Sequence, residues 1–141
     1  MAEGFPRVLV VDDEPDLAEY IKALLEKRAS AQVHVEHDGA GGVCAVRAFA
    51  PDLVITDIEM PGMSGLQMLE AVRRDAPGTP VIVVSAHASV DYALCALRAH
   101  ADEFLTKPMD SATLVATVLR LAEEGRRRRG TAEAKETSAP R

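Results

Sequence analysis

Five short runs of β-branched and aliphatic residues, separated by segments of a different periodicity, constrain this chain more than any other feature. They are Arg7–Val11 (RVLVV), Val33–Glu36 (VHVE), Asp52–Thr56 (DLVIT), Val81–Ser85 (VIVVS) and Glu103–Lys107 (EFLTK). Three of them are apolar almost without interruption, as strands are when a parallel sheet is covered by helices on both faces. Between and after the runs, apolar residues recur at intervals of three and four. Leu17, Ile21, Leu24 and Leu25 form one such set, followed by Leu66, Leu69 and Val72, then Val90, Leu94 and Leu97, then Leu114, Val118 and Leu121. These are amphipathic helices, and Val43, Val46 and Phe49 mark a weaker one containing Gly41 and Gly42. Numbered in chain order as strands β1–β5 and helices α1–α5, the segments read (βα)5. Repeated right-handed crossovers then give an α/β, doubly wound parallel sheet with helices on both faces.

Local punctuation agrees. Pro15 suits the first turn of α1, Pro51 and Pro80 precede strands, Asp38 and Gly39 form the turn before α2, and Asp110 with Ser111 offers caps for α5. A length of 141 residues suits one domain with a genuine core. With 4% aromatic residues and no Trp, that core is built from Val, Leu, Ile and Ala. The expected division is a domain over residues 1–125 and a basic helix end with a flexible tail or linker over 126–141, with Gly130 stopping the helix.

The net charge of −6 is unevenly distributed: residues 126–141 carry six Lys or Arg against two Glu, which leaves −10 on residues 1–125. Such a body repels nucleic acid and suits a small cation, so direct nucleic-acid binding by the body is not expected. Arg126 to Arg129 could meet a polyanion, but four arginines at a helix end also complement its dipole and need no partner. No apolar run approaches a bilayer span and the N-terminus lacks a signal peptide's order, so no membrane contact and a cytoplasmic location are expected. Cys44 and Cys95 form no CxxC pair and are expected as buried free thiols on apolar helical faces.

The informative polar residues interrupt the strand ends. Asp12 and Asp13 follow β1, Asp57 follows β3, Ser85 ends β4 and Lys107 ends β5. All five lie at carboxyl ends of strands, the edge where open α/β sheets bind ligands. Three carboxylates brought within a few Å repel by about 4 kcal/mol per pair at an effective dielectric near 20. A hard divalent cation relieves this, and Mg2+ suits an all-oxygen Asp cluster better than Zn2+. With the cation and Lys107 in place, an ionised Asp57 can act as nucleophile toward an activated phosphoryl group, with Ser85 and Lys107 on the phosphoryl oxygens. Any one of these residues alone reads as a turn, a cap or a solvated side chain; their joint position carries the inference. His34 and His37 fall on opposite faces of an extended strand and are not expected to form a metal site.

At these residues the chain resembles the response-regulator receiver domain family of two-component signalling, chemotaxis response regulators included. The matching pieces are VLVVDDEP (Val8–Pro15), DLVITDIEMPGMSG (Asp52–Gly65), VIVVSA (Val81–Ala86) and ADEFLTKP (Ala101–Pro108), in order, over roughly residues 6–124. The resemblance implies a flavodoxin-like fold with strand order 2-1-3-4-5. It implies that Asp12, Asp13, Asp57 and the backbone carbonyl of Glu59 hold Mg2+, and that Asp57 is phosphorylated from the phosphohistidine of a sensor histidine kinase or phosphotransfer protein. It further implies that Ser85 and Lys107 contact the phosphoryl group, that Ser85 and Phe104 move together as the switch, that the Lys107–Pro108 bond is cis, and that Glu59 and His87 tune loss of the phosphoryl group. The α4-β5-α5 surface would then control an output domain or partner, with a homodimer through that surface as one form of output.

The chain departs from the family in two places: His100 stands where Gly is common, and Met109 where Phe often follows the Lys-Pro pair. Two other function classes compete. Asp57-Ile58-Glu59 loosely resembles the DxD signature of haloacid dehalogenase phosphatases, although that signature ends the first strand, not the third. A receiver that docks partners without phosphorylation would not need all five polar residues.

Overall fold

The three central strands of the sheet, β1, β3 and β4, are buried on two faces by residues that alternate between two separate cores. In a computed structural model of the chain, residues 5–86 and 100–138 are described, with side chains described as far as residue 128. The strands are β1 (Arg7–Val11), β2 (Gln32–Glu36), β3 (Leu53–Asp57), β4 (Val81–Ser85) and β5 (Glu103–Thr106), all parallel, in the order β2-β1-β3-β4-β5. Val8, Val10, Leu53, Ile55, Ile82 and Val84 face one way, onto α1 (Pro15–Arg28) and α5 (Ser111–Ser138). Leu9, Val11, Val54, Val81 and Val83 face the other, onto α2 (Gly39–Phe49) and α3 (Gly65–Asp75). This is why β3 and β4 read as unbroken apolar runs: every residue in them is buried. The expected helix at Val90–Leu97 lies outside the described residues, as does Cys95.

The helix ends follow from local chemistry. Pro15 opens α1, whose last turn carries Lys27 and Arg28. Asp38 caps α2 by accepting from the Gly41 N–H at 2.6 Å. Ser64 and Gln67 form a reciprocal capping box on α3, each side chain bonded to the other's backbone N–H. Asp110 accepts from the backbone N–H and hydroxyl of Thr113, both at 2.9 Å, and these two bonds hold its carboxyl below its ordinary pKa.

Two expectations are corrected. Gly130 does not stop α5, which continues to Ser138. A helical Gly costs only about 1 kcal/mol relative to Ala, and Ala132, Glu133, Ala134, Lys135 and Glu136 beyond it are strong helix formers. Cys44 is exposed. The buried face of α2 is Gly39, Gly42, Ala45 and Val46, and β2 at the sheet edge leaves the flank carrying Cys44 uncovered.

His100 adopts a left-handed conformation, φ 68°, and its carbonyl accepts from Arg73 Nε at 3.2 Å and Nη2 at 2.7 Å. A glycine suits that backbone better, which accounts for this position as a departure from the family pattern. Gly125 is required for a different reason: a Cβ there would stand 2.0 Å from the Asp52 carbonyl oxygen and 2.9 Å from Pro80 Cδ, so only glycine lets α5 cross the start of β3. In chemical denaturation, His100→Gly is expected to gain about 1 kcal/mol by relieving the left-handed backbone. Gly125→Ala is expected to lose about 2 kcal/mol, overpacking outweighing the better helix propensity.

Candidate functional site

The strand order reverses at β1, which has β2 on one side and β3 on the other, so the loops leaving β1 and β3 open a crevice at the carboxyl edge. The first loop carries Asp12 and Asp13. The Asp12 N–H continues the ladder to the Glu36 carbonyl at 3.1 Å, and its Oδ1 accepts from the Glu14 N–H at 2.9 Å. Asp57 is the last residue of β3, 6% exposed, in register with Val84 of β4, and its Oδ1 accepts from the Glu59 N–H at 3.2 Å. A Cβ on Gly65 would stand 2.1 Å from the Asp57 carbonyl oxygen, so glycine at the start of α3 is what lets that helix pack directly on the backbone of the site.

The carboxylates of Asp12, Asp13 and Asp57 come together: one oxygen from each lies within 4.8 Å of the others, and among the described residues this is the one group arranged to hold a metal ion. Lys107 reaches the same place from β5. Its Nζ donates to Asp57 Oδ2 at 3.0 Å, Glu14 Oε1 at 3.0 Å and Asp12 Oδ2 at 3.3 Å. Four carboxylates against one ammonium leave three negative charges at the crevice. That residual charge and the all-oxygen donor set fit a hard divalent cation.

Burial is the largest single effect on both titratable partners, and it has opposite outcomes. It pushes Asp12 above its ordinary pKa, with Asp57 adding to the rise, against the opposing Glu14 N–H and Lys107. For Lys107 burial favours the neutral amine, but hydrogen bonds to Glu14 and Asp57 with the charges of Asp12 and Asp57 outweigh it, and its pKa lies above the usual lysine value.

Ser85 ends β4 fully buried, and its carbonyl accepts from the Lys107 N–H at 2.8 Å. Phe104 lies on β5 opposite Val83, half-buried against the core of α2 and α3. The Lys107–Pro108 peptide is cis. Glu59 is exposed in the loop after β3, and His87 lies outside the described residues. Glu14 was not singled out in the sequence, where it reads as one more acid after Asp12-Asp13; the signal available was a Glu in the helix-capping position where Ser, Thr, Asp or Asn is favoured.

On β2, His34 Nε2 lies 2.6 Å from Glu36 Oε2 in an edge groove, and just beyond it His37 Nδ1 lies 3.2 Å from the Asp12 carbonyl oxygen, so the two imidazoles have separate partners. Two of the described arginines of the run are engaged within the chain. Arg126 pairs with Glu123 at 3.1 Å and Arg128 with Glu124 at 2.9 Å, while Arg127 is exposed. No helix among the described residues is long and apolar enough to cross a membrane.

Residues 8–119 match the family model of the response regulator receiver domain. The chain belongs to that family. The receiver is 39% identical over 125 residues to the transcriptional regulatory protein PrrA of Mycobacterium tuberculosis, covering 89% of this chain and 52% of that protein. It is 31% identical over 135 residues to the nitrogen assimilation regulatory protein NtrX of Azorhizobium caulinodans, covering 94% of this chain and 30% of that protein. The chain thus spans about half or less of the length of these relatives. Among solved structures, the CheY-like receiver domain protein of Methanospirillum hungatei superposes with a TM-score of 0.81 at 26% identity, over 87% of this chain and 98% of that one.

The raised pKa of Asp12 has a consequence for stability. The unfolded chain loses this proton before the folded one, so stability falls as pH rises from the ordinary carboxylate value through the folded value, above which the full penalty is present. Asp12→Asn is therefore expected to raise the midpoint of thermal unfolding of the metal-free receiver at pH 7, with the gain absent below the ordinary carboxylate pKa. A lower midpoint at pH 7 would show that attraction to Lys107 outweighs burial.

Proposed function

We propose that this receiver is a phosphorylation switch in which Asp57 accepts a phosphoryl group from the phosphohistidine of a sensor histidine kinase or phosphotransfer protein. The observation that carries the reading is the convergence of Asp12, Asp13, Asp57 and Lys107 from three strand ends on one crevice. An Asp57 carboxylate oxygen attacks phosphorus in line, a P–O bond forms as the P–N bond breaks, and the departing imidazole keeps the electron pair. Asp12, Asp13, Asp57 and the Glu59 backbone carbonyl would hold Mg2+, which when bound supplies charge to neutralise the transferring phosphoryl oxygens. Lys107 offers its ammonium to the same oxygens from the β5 side, and the Ser85 hydroxyl reaches them from the end of β4.

The product is a signal because its added charge pulls on side chains that belong to different elements. Ser85 drawn toward the phosphoryl group leaves space for Phe104, and the surface of α4, β5 and α5 changes, acting on an output domain, a partner or a second copy of the chain. Glu59 and His87 set the lifetime. Residues 1–125 act as the receiver and the remainder as the connection, in a cytoplasmic setting where kinase and output are both accessible.

Acetyl phosphate with Mg2+ is expected to label the protein, with Asp57→Ala at background and Lys107→Ala slowed by about a hundredfold to a thousandfold, the usual loss of one preorganised charge. Equal labelling of Asp57→Ala would overturn the assignment. Sustained hydrolysis of phosphomonoesters would instead favour a phosphatase, and partner affinity indifferent to beryllofluoride would favour phosphorylation-independent docking.

A further inference from the structure

An ammonium has three N–H bonds to give, and those of Lys107 are all taken, by Asp57, Glu14 and Asp12. Glu14 differs from the other two acceptors. It stands outside the carboxylate trio that could hold a metal, and its side chain is 64% exposed, against 4% for Asp12 and 6% for Asp57. It occupies the N-cap of α1 yet makes no side-chain cap bond, giving up the role that a shorter acid would fill there. Its backbone is fixed at both ends, the N–H to Asp12 Oδ1 at 2.9 Å and the carbonyl to the Ala18 N–H at 3.0 Å. From that fixed root the carboxylate crosses the crevice to a lysine 93 positions away.

We propose that Glu14 is a positioning residue that holds Lys107 at the rim of the crevice in the resting protein and competes for it with an incoming phosphoryl oxygen. The proposal rests on the aspartyl-phosphate reading above. A phosphoryl group reaching Asp57 has to take an N–H of Lys107 from one of its three acceptors. A cation among Asp12, Asp13 and Asp57 weakens the hold of Asp12 and Asp57 on the ammonium, because their lone pairs and charge are shared with it. Glu14 is left as the main competitor, so its grip sets how readily Lys107 gives an N–H to the phosphoryl oxygen.

The test compares Glu14→Gln, which removes the charge, with Glu14→Asp, which keeps it but is one methylene too short to span the crevice and is suited to cap α1. Labelling by acetyl phosphate with Mg2+ is expected to be about twofold to fivefold faster in both, the range an exposed ion pair is worth. In the metal-free proteins the Lys107 Nζ and Cε resonances are expected to shift in both variants, a readout that does not depend on phosphorylation. Wild-type rates in both variants with unmoved Lys107 resonances overturn the proposal. So does acceleration in Glu14→Gln alone, which assigns the effect to repulsion of the donor and not to the hold on Lys107. A wild-type protein that acetyl phosphate does not label at all removes the aspartyl-phosphate reading and this one with it, a result distinct from labelling at unchanged rates.

Discussion

Lys107 makes the carboxyl edge of this sheet tenable. A parallel sheet sends every strand end to the same side, so acids at the ends of β1 and β3 necessarily meet there. At an effective dielectric near 20, two such charges about 4 Å apart oppose each other by about 4 kcal/mol. Four acids around one lysine do not balance, and burial, with a smaller push from Asp57, holds Asp12 above its ordinary pKa in spite of Lys107.

The opposite edge uses the same residue type to the opposite end. Asp52 precedes β3 and its Oδ2 accepts from the N–H of Arg7, the first residue of the neighbouring β1; Asp102 precedes β5 and accepts from the N–H of Val81, the first residue of the neighbouring β4. Arg73 adds a bond to Asp102 at 2.7 Å, and Arg128 of α5 approaches it at 3.7 Å. At this edge a carboxylate meets backbone donors and guanidinium groups, so it seals strand beginnings. At the other edge the acids meet one another, and single backbone N–H groups on Asp12 and Asp57 leave a surplus of negative charge for Lys107 or a cation to relieve. Position along the strand separates the aspartates that brace strand beginnings from those that gather at the crevice.

That distinction was largely legible in the sequence. The apolar runs were long enough to number the strands, and acids, a serine and a lysine stood at the carboxyl ends of four of them, so Asp12, Asp13, Asp57, Ser85 and Lys107 could be placed at one edge from the sequence. What stayed hidden depended on contacts between residues distant in sequence or on which side of a helix was covered. Glu14 is an ordinary acid until Lys107 is seen beside it. Cys44 looks apolar-facing by spacing, yet α2 lies over a sheet edge and leaves that flank open. The arginines at 126 and 128 read as an unpaired basic run because Glu123 and Glu124 were not assigned to them, and Gly130 read as a stop because propensity alone underrates the residues after it.

The distance from the chemistry to the outer surface is short. Lys107 is bonded through its backbone to Ser85, and three residues later Asp110 caps α5, so the ends of β4 and β5 and the start of that helix are tied in sequence and by hydrogen bonds. Met109, between the ammonium and the cap, packs on the core shared by α1 and α5. Ser85 lies two residues beyond Val83, whose partner across the sheet is Phe104, so by strand alternation both share the face turned to α2 and α3. On the proposed reading, a charge added at Asp57 would act on two linked points at once, Lys107 toward α5 and Ser85 toward Phe104. Packed side chains of this kind exchange between discrete arrangements instead of deforming gradually, which is what a switch requires.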